Sequence, residues 1–127
     1  MKIITYQFGE VEYDENSIIN FSSGILGFEN LTKYLLVQTD EGLFQWLNSV
    51  EQPDIAFPII SLQIIDESYP KESDHDPFGI VTFNPDPLKI TVNLKAPVYI
   101  NQNNKTGYQM ILDDDKLAIN YNLFVKE

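Results

Sequence analysis

Two short acidic runs hold the residue types that could support chemistry. Asp74-His75-Asp76 places the only histidine of the chain between two carboxylates, which is a setting for a tuned base or a metal ligand. A zinc site needs three or four ligands, however, and adjacent residues of a flexible loop rarely converge on one ion. We therefore predict that His75 is an exposed loop histidine. We expect no catalytic residue, no metal and no cofactor.

Asp113-Asp114-Asp115 is the second run, and it offers the oxygen ligands that calcium prefers. It lacks the alternating ligands, the central glycine and the closing glutamate of an EF-hand loop, so the run favours a hairpin turn. The chain has no cysteine and no G-x-S-x-G motif, which leaves nucleophilic catalysis with little support. A carboxylate-based hydrolase stays an alternative, because nineteen acidic residues offer many pairs.

The charge balance restricts the partners. Nineteen acidic and eight basic residues leave a net charge of −11 in 127 residues. Phosphate repulsion disfavours nucleic acid and anionic membranes, and a cationic partner is the natural candidate, although solubility alone could explain the charge. No window approaches the ~20 apolar residues of a membrane span, and the N-terminus lacks a secretory apolar core. We therefore expect a cytoplasmic protein that is a monomer when free.

Strand patterns dominate the chain and must position any site. Runs rich in β-branched and aromatic residues alternate with glycine, proline and Asn/Asp turns, at the spacing of sandwiches and barrels. We predict one all-β domain over residues 1–127, a small antiparallel barrel of about ten short strands with little helix. The predicted strands are Lys2–Phe8, Glu10–Tyr13, Ser17–Phe21, Tyr34–Gln38, Phe44–Val50, Ile55–Leu62, Gly79–Phe83, Ile90–Leu94, Val98–Asn101, Tyr108–Leu112 and Leu117–Val125. We expect the last two to pair with each other.

Several positions carry expectations of their own. We expect Trp46 to anchor the core from the inner face of its strand. Pro58 predicts an edge position or a bulge, because proline cannot donate to a strand ladder. Residues 66–77 are the most polar stretch and predict a long loop, and residues 40–42 predict a turn. Three apolar side chains of the loop between Gly24 and Phe28 are expected to enter the core: Ile25, Leu26 and Phe28.

Three blocks of the sequence combine glycine, tryptophan and proline at fixed spacing. They are Phe21–Glu29 (FSSGILGFE), Phe44–Phe57 (FQWLNSVEQPDIAF) and Thr91–Asn101 (TVNLKAPVYIN). In this order they resemble the patterns F-x-x-G-I-x-G-F-E, F-x-W-L-Q-S-x-x-x-P-x-L-A-F and T-x-N-L-x-A-P-I-x-I-N of the flagellar assembly factor FliW family. Asn48 stands where that family usually has glutamine. The chain is also somewhat short for the family, and its C-terminal residues lack the basic character of many members.

The resemblance implies a non-enzymatic, barrel-like factor of the bacterial cytoplasm with two alternative partners. One is flagellin, held in a chaperone-like way before export. The other is CsrA, the RNA-binding regulator that represses flagellin translation. An acidic chain would be drawn to the basic surface of such a regulator. A small acidic barrel that carries an apolar ligand is the remaining alternative.

The residues of the three blocks are expected to build the fold more than to make contacts. They are Phe21, Gly24, Ile25, Gly27, Phe28, Phe44, Trp46, Leu47, Pro53, Ala56, Phe57, Asn93, Ala96 and Pro97. Partner contacts are assigned instead to acids that we expect to be exposed. These are Glu29, Glu51, Asp54, Asp66 and Glu67.

Overall fold

Strands make up most of the regular structure. The computed structural model describes residues 1–38, 42–72 and 74–125, so most of the predicted 40–42 turn lies outside the described residues. The strands are β1 (Lys2–Thr5), β2 (Gly9–Glu12), β3 (Ile19–Phe21), β4 (Lys33–Gln38), β5 (Gln45–Ser49), β6 (Ala56–Ser61), β7 (Asp76–Thr82), β8 (Thr91–Val92), β9 (Val98–Asn101), β10 (Thr106–Gln109) and β11 (Tyr121–Asn122). Helical structure is limited, in this part of the chain, to α1 (Leu62–Ile65) and two 3₁₀ turns, Glu15–Ser17 and Pro87–Lys89. The prediction of an all-β fold with little helix is confirmed.

Seven strands close into a barrel, in the order β3-β4-β5-β6-β7-β9-β10. The ring closes because β7 pairs with β9 as well as with β6, and because β10 pairs with β3. These pairs are antiparallel except β3–β10, which is parallel. Outside the ring, β8 and β11 extend the sheet from β7, while β1 and β2 form a separate hairpin. Closure leaves the barrel strands without an open edge.

Large apolar side chains fill the interior of the barrel. The buried members of this cluster are Ile19, Phe21, Ile25, Leu31, Tyr34, Leu47, Ile59, Phe78, Val98 and Ile100. Successive residues of a strand point to opposite faces, so Ile60 leaves the interior and joins a second core. The buried members of this second core are Ile60, Leu62, Tyr69, Val81 and Val92. A packed interior of this kind argues against a barrel that carries a ligand.

Trp46 does not anchor the barrel interior, so that prediction is wrong. Leu47 is fully buried in the barrel core instead. Trp46 points to the opposite face and is half-buried, with its ring 5.8 Å from that of Phe8 and 5.7 Å from that of Phe83. Apolar residues cover both faces of β5, so the alternation of the strand does not reveal which face lies inside.

Pro58 lies in a barrel strand that has a partner on each side, so the predicted edge position is wrong. It pairs with Trp46 on β5, whereas the pairing of β6 with β7 begins one residue later, at Ile59. The missing N–H of Pro58 therefore falls just outside the β6–β7 ladder. A proline can enter a central strand at such a position without breaking a ladder hydrogen bond.

The C-terminal strands pair differently from the prediction. β10 pairs with β9 and β3, and β11 pairs with β8, so Tyr108–Leu112 and Leu117–Val125 do not form a hairpin. The backbone N–H groups of Met110 and Leu112 donate to the carbonyls of Pro97 and Lys95 at 3.1 and 2.8 Å, so residues 110–112 keep the register of β10 beside the segment before β9. The acidic run then forms a local turn, in which Leu117 N–H donates to the carbonyl of Asp114.

The polar stretch 66–77 is shorter as a loop than predicted. Its last two residues already belong to β7, where Asp76 and Pro77 pair with Ile100 and Tyr99. Glu72 and His75 also form an isolated bridge. The residue types at positions 76 and 77 do not predict a strand, because aspartate and proline favour turns. Their pairing with β9, which closes the barrel, outweighs this local preference.

We predict that Leu47→Ala destabilises the protein more than Trp46→Ala does. The first change empties part of the barrel interior and should lower the free energy of unfolding by about 2–5 kcal/mol. Trp46 is half-buried and leaves less of a cavity. Urea unfolding followed by circular dichroism compares the two, since that signal does not depend on tryptophan. A larger loss for Trp46→Ala would contradict the assignment of the two faces of β5.

We also predict that stability falls above about pH 10, in part through Tyr34. Burial, followed by the negative charge of Glu51, raises the pKa of Tyr34 to about 12. An unfolded tyrosine loses its proton near pH 10, so between the two values the unfolded state binds fewer protons and is favoured. Tyr34→Phe should make this fall smaller. Part of it should remain, because burial also raises the pKa of Tyr69.

At neutral pH the same Tyr34→Phe variant should be as stable as the natural chain, or slightly more stable. The Tyr34 hydroxyl is buried and finds no hydrogen-bond partner within the described residues. Removing an unpaired buried hydroxyl costs nothing in lost hydrogen bonds. Urea unfolding at pH 7 measures this directly, and a loss above about 1 kcal/mol would show that the hydroxyl has a partner.

Candidate functional site

Close backbone contacts hold the Phe21–Glu29 block. Gly24 has a φ of +68°, and a Cβ atom there would lie 2.6 Å from the Cα of Glu29. Ile25 is buried in the barrel core, and the ring of Phe28 packs edge-on against that of Phe57 at 5.2 Å. The glycine therefore permits a fold-back that no other residue type could adopt without strain.

Leu26 is the exception in this loop, and the prediction that it enters the core is wrong. Its side chain is 66% exposed. Its backbone N–H donates to Oε1 of Gln109 at 2.8 Å, and Nε2 of the same glutamine donates to the carbonyl of Ala96. With its backbone held there, Leu26 turns outward. It lies beside Ile111, which is 64% exposed, across a small cleft of about 160 Å³.

Two asparagines, one in each of the other two sequence blocks, shape the backbone through hydrogen bonds from their side chains. Oδ1 of Asn93 accepts the backbone N–H groups of Lys95 and Ala96, each at 3.0 Å, and shapes the turn before the buried Pro97. Asn48 is fully buried, and its Nδ2 donates to the carbonyls of Ser49 and Pro53. The latter bond ties β5 to the turn that leads into β6.

Three of the five acids assigned to partner contacts accept backbone N–H groups of this chain: Glu29, Glu51 and Asp66, whose Oδ1 accepts the N–H of Ser68 at 2.9 Å. Oε2 of Glu29 accepts the N–H of Gly27 at 2.8 Å. Oε1 of Glu51 accepts the N–H groups of Thr32 and Lys33 at 2.6 and 2.9 Å, at the start of β4. All three residues are exposed, as expected, but these bonds already occupy one oxygen of each carboxylate.

The five acids do not share one surface. Glu51 and Asp54 lie in the turn before β6, whereas Asp66 and Glu67 follow α1 at the other end of that strand. A six-residue strand spans about 20 Å, so the two pairs are well separated.

His75 is half-buried, so the prediction of an exposed loop histidine is wrong. Its Nε2 lies 3.0 Å from Oγ1 of Thr106, and its ring lies 5.0 Å from that of Tyr108. The Thr106 hydroxyl donates to Oδ1 of Asn104, so Nε2 of the histidine is the donor in this contact. Among the described residues, no three His, Asp or Glu side chains are grouped so that they could hold a metal ion.

Three aspartates meet at a cleft of about 460 Å³, which we call the acidic cleft. Asp66, Asp113 and Asp114 supply its charge, and Tyr69, Leu112 and Leu117 contribute apolar surface. The hydroxyl of Ser68 and then its backbone N–H bind Asp66 and lower the pKa of that carboxyl. A glycoside hydrolase needs a general acid with a raised pKa, so Asp66 does not suit that role.

An apolar groove of about 280 Å³ lies next to the acidic cleft along the chain. We call it the apolar groove, and its lining residues are Leu43, Ile60, Ile64, Ile65, Tyr121, Leu123 and Phe124. Sequence reasoning missed it. The sequence feature that could have revealed the groove is the mainly apolar stretch Ile59–Ile65. It continues past Ser61, where β6 ends, so some of its apolar side chains lie outside the strand.

The described residues contain no helix long and apolar enough to cross a membrane.

Comparison with known proteins identifies the family. The family model described as "FliW protein" matches residues 2–123. The chain belongs to the FliW family. It is 43% identical to the flagellar assembly factor FliW of Caldicellulosiruptor saccharolyticus over 131 aligned positions, covering 92% of this chain and 86% of the relative. The FliW of Clostridium tetani is 33% identical, with 100% and 98% covered.

A solved structure agrees with this assignment. The crystal structure of a flagellar assembly factor FliW superimposes with a TM-score of 0.89 at 28% identity, covering 100% of this chain and 99% of the other. The FliW family assignment that the three sequence blocks suggested is thereby confirmed, and so is the barrel.

We predict that Glu51→Ala costs stability whereas Asp54→Ala does not. The two acids share one turn, but only Glu51 holds backbone N–H groups in the described part of the chain. Losing two such bonds at an exposed site should lower the free energy of unfolding by about 1–2 kcal/mol. The Asp54 variant should stay within about 0.5 kcal/mol of the natural chain in urea unfolding. Equal effects would show that Glu51 has no special structural role.

Proposed function

We propose that the chain is a non-enzymatic flagellar assembly factor of the bacterial cytoplasm that binds CsrA and flagellin. Binding to CsrA would relieve repression of flagellin translation, and binding to flagellin would hold it in a chaperone-like way. Membership of the FliW family over residues 2–123 is the observation that carries the proposal. The relatives named as flagellar assembly factors support its first part.

The acidic surface supports the choice of CsrA. A regulator that binds RNA must present positive charge where the phosphates lie. A partner with a net charge of −11 would be attracted to that surface and would repel RNA nearby. Antagonism of this kind does not need the factor to cover the whole RNA-binding site.

The acidic cleft is the part of this surface that we propose as a contact with CsrA. Of the five acids assigned from the sequence, Asp66 belongs to the cleft and Glu67 follows it directly. Glu29 lines the separate cleft beside Leu26, and Glu51 and Asp54 lie at the other end of β6. Asp113 and Asp114, which the sequence suggested only as turn residues, bring the additional charge.

Calorimetric titration with CsrA of the same organism at about 0.1 and 0.5 M salt is the first test. We expect binding that weakens as salt rises, because exposed charges are screened over less than about 10 Å in this range. Absence of binding at both salt concentrations would contradict the CsrA part of the proposal. Flagellin titrated in the same way tests the other part independently.

A matched pair of charge variants tests the acidic cleft. The first variant carries Asp66→Asn, Asp113→Asn and Asp114→Asn, which keep an oxygen that can accept the local backbone hydrogen bonds. The control carries Glu12→Gln, Asp14→Asn and Glu15→Gln, three exposed acids at and just after the β1–β2 hairpin.

Both variants lose three negative charges, so they differ only in where the charge is lost. We expect the cleft variant to weaken CsrA binding at low salt by about threefold or more relative to the control, since each exposed ion pair contributes a few tenths of a kcal/mol to about 1 kcal/mol. Equal weakening would show that net charge, and not the cleft, governs the interaction.

A further inference from the structure

We propose that the apolar groove binds an amphipathic helix of a partner protein, with its apolar face in the groove and a lysine or arginine near the end that meets the acidic cleft. The inference deepens the proposed function by assigning a surface and a mode of binding. It depends on the proposed function in one respect, which is the assumption that the groove binds a segment of a protein.

The groove is the first reason. Ile64 is 63% exposed, Leu43 is 41% exposed and Phe124 is 39% exposed, and all three face one concave surface. Isolated exposed apolar residues are common on proteins, but several that converge on a groove mark a site of interaction. The floor is firm, because Ile60 is buried in the second core and Ile65 and Leu123 pack against it.

Charge complementarity is the second reason. Ile65 lines the apolar groove, and the next residue, Asp66, lines the acidic cleft, so the two surfaces adjoin. No lysine lines either surface among the described residues. The ion pairs found in this part of the chain, Lys2–Glu10, Lys71–Asp76 and Lys95–Asp115, leave the three cleft aspartates unpaired. An occupant with basic residues at one end therefore fits both surfaces at once.

The short strand beside the groove decides how a partner segment can bind. β11 has two residues and pairs with β8, so an added strand would gain very few main-chain hydrogen bonds there. A helix binds instead through side chains spaced three and four residues apart, which suits a groove formed by separate apolar side chains. A second copy of this chain is disfavoured, because it would bring another net charge of −11 to an acidic surface.

The probe for this inference is a synthetic peptide of leucine and lysine, about four helical turns long, ordered so that the leucines share one face of a helix. A second peptide of the same composition, in an order that scatters the leucines, controls for charge. Titrations at about 0.5 M salt screen the general attraction between a cationic peptide and an acidic protein. We expect the amphipathic peptide to bind and the scattered one to bind at least about tenfold more weakly.

Two isoleucine variants place the binding on the protein. Ile64→Asn changes the groove, and Ile111→Asn changes an isoleucine of nearly the same exposure, 64% against 63%, that lies in the separate cleft beside Leu26. Neither substitution alters the net charge. We expect Ile64→Asn to weaken binding of the amphipathic peptide by about tenfold and Ile111→Asn by less than about twofold. Circular dichroism and thermal melting must show that both variants are folded.

Binding that is equal for the two peptides, or that is lost in Ile111→Asn and kept in Ile64→Asn, would overturn the inference. Peptide binding unaffected by the three cleft substitutions at about 0.1 M salt would overturn the placement of the basic end. The CsrA titration is a separate readout. If CsrA binds and the peptide does not, the CsrA part of the proposed function is supported and the groove assignment is wrong. If only the peptide binds, the groove assignment is supported and the CsrA part of the proposed function is wrong.

Discussion

The pairing of β7 with three other strands is the constraint on which the rest of the structure depends. Asp76–Phe78 pair with β9 and close the barrel, Phe78–Ile80 pair with β6, and Val81 and Thr82 pair with β8. One strand therefore joins the barrel to the layer that carries the second core. Gly79 makes this possible, since a Cβ there would collide with Val92 and would lie 2.7 Å from the side chain of Leu62. Without that close approach, α1 and β8 could not cover β7.

The two candidate surfaces are consequences of this arrangement. The second core is covered by short elements, namely α1, β8 and β11, and short elements cannot bury every apolar side chain that they carry. Ile64 and Phe124 stay exposed for this reason and line the apolar groove. The turn after α1 then places Asp66 beside the Asp113–Asp114 turn. The apolar groove and the acidic cleft are therefore lined by consecutive residues, Ile65 and Asp66.

The sequence predicted the central strands better than the C-terminal one, since only Tyr121 and Asn122 of the predicted strand Leu117–Val125 form a strand. It predicted the partners of the strands less well. Val98–Asn101 has the predicted bounds, and the runs that became β4, β5 and β6 differ from prediction by one or two residues, because alternation and turn residues are local signals. Pairing is not local. Asp76 and Pro77 lie in a strand because they pair with β9 to close the ring, and β11 pairs with β8 although a pairing with β10 was predicted. The inner face of β5 was misassigned for a related reason, since two cores cover its two faces.

Candidate contacts were harder to predict than the fold, because an acidic residue type does not reveal what its carboxylate binds. Glu29 and Glu51 resemble free surface acids in the sequence. Glu29 nevertheless accepts the N–H of Gly27, two residues away, and Glu51 accepts the N–H groups of Thr32 and Lys33, which lie near it only in the folded chain. Asp113 and Asp114 resemble a simple turn, yet the fold brings them to Asp66. Exposure and proximity of this kind arise from tertiary structure, which the local pattern does not encode.

The C-terminal segment connects these points to the family. From the sequence, it differs from many members in lacking their basic character. In the structure, Tyr121 and Phe124 line the apolar groove, so the described part of this segment, which ends at Val125, contributes apolar surface. The residues that extend the sheet beside β8 therefore also form one wall of the apolar groove, so the FliW fold and the candidate surface depend on the same C-terminal segment.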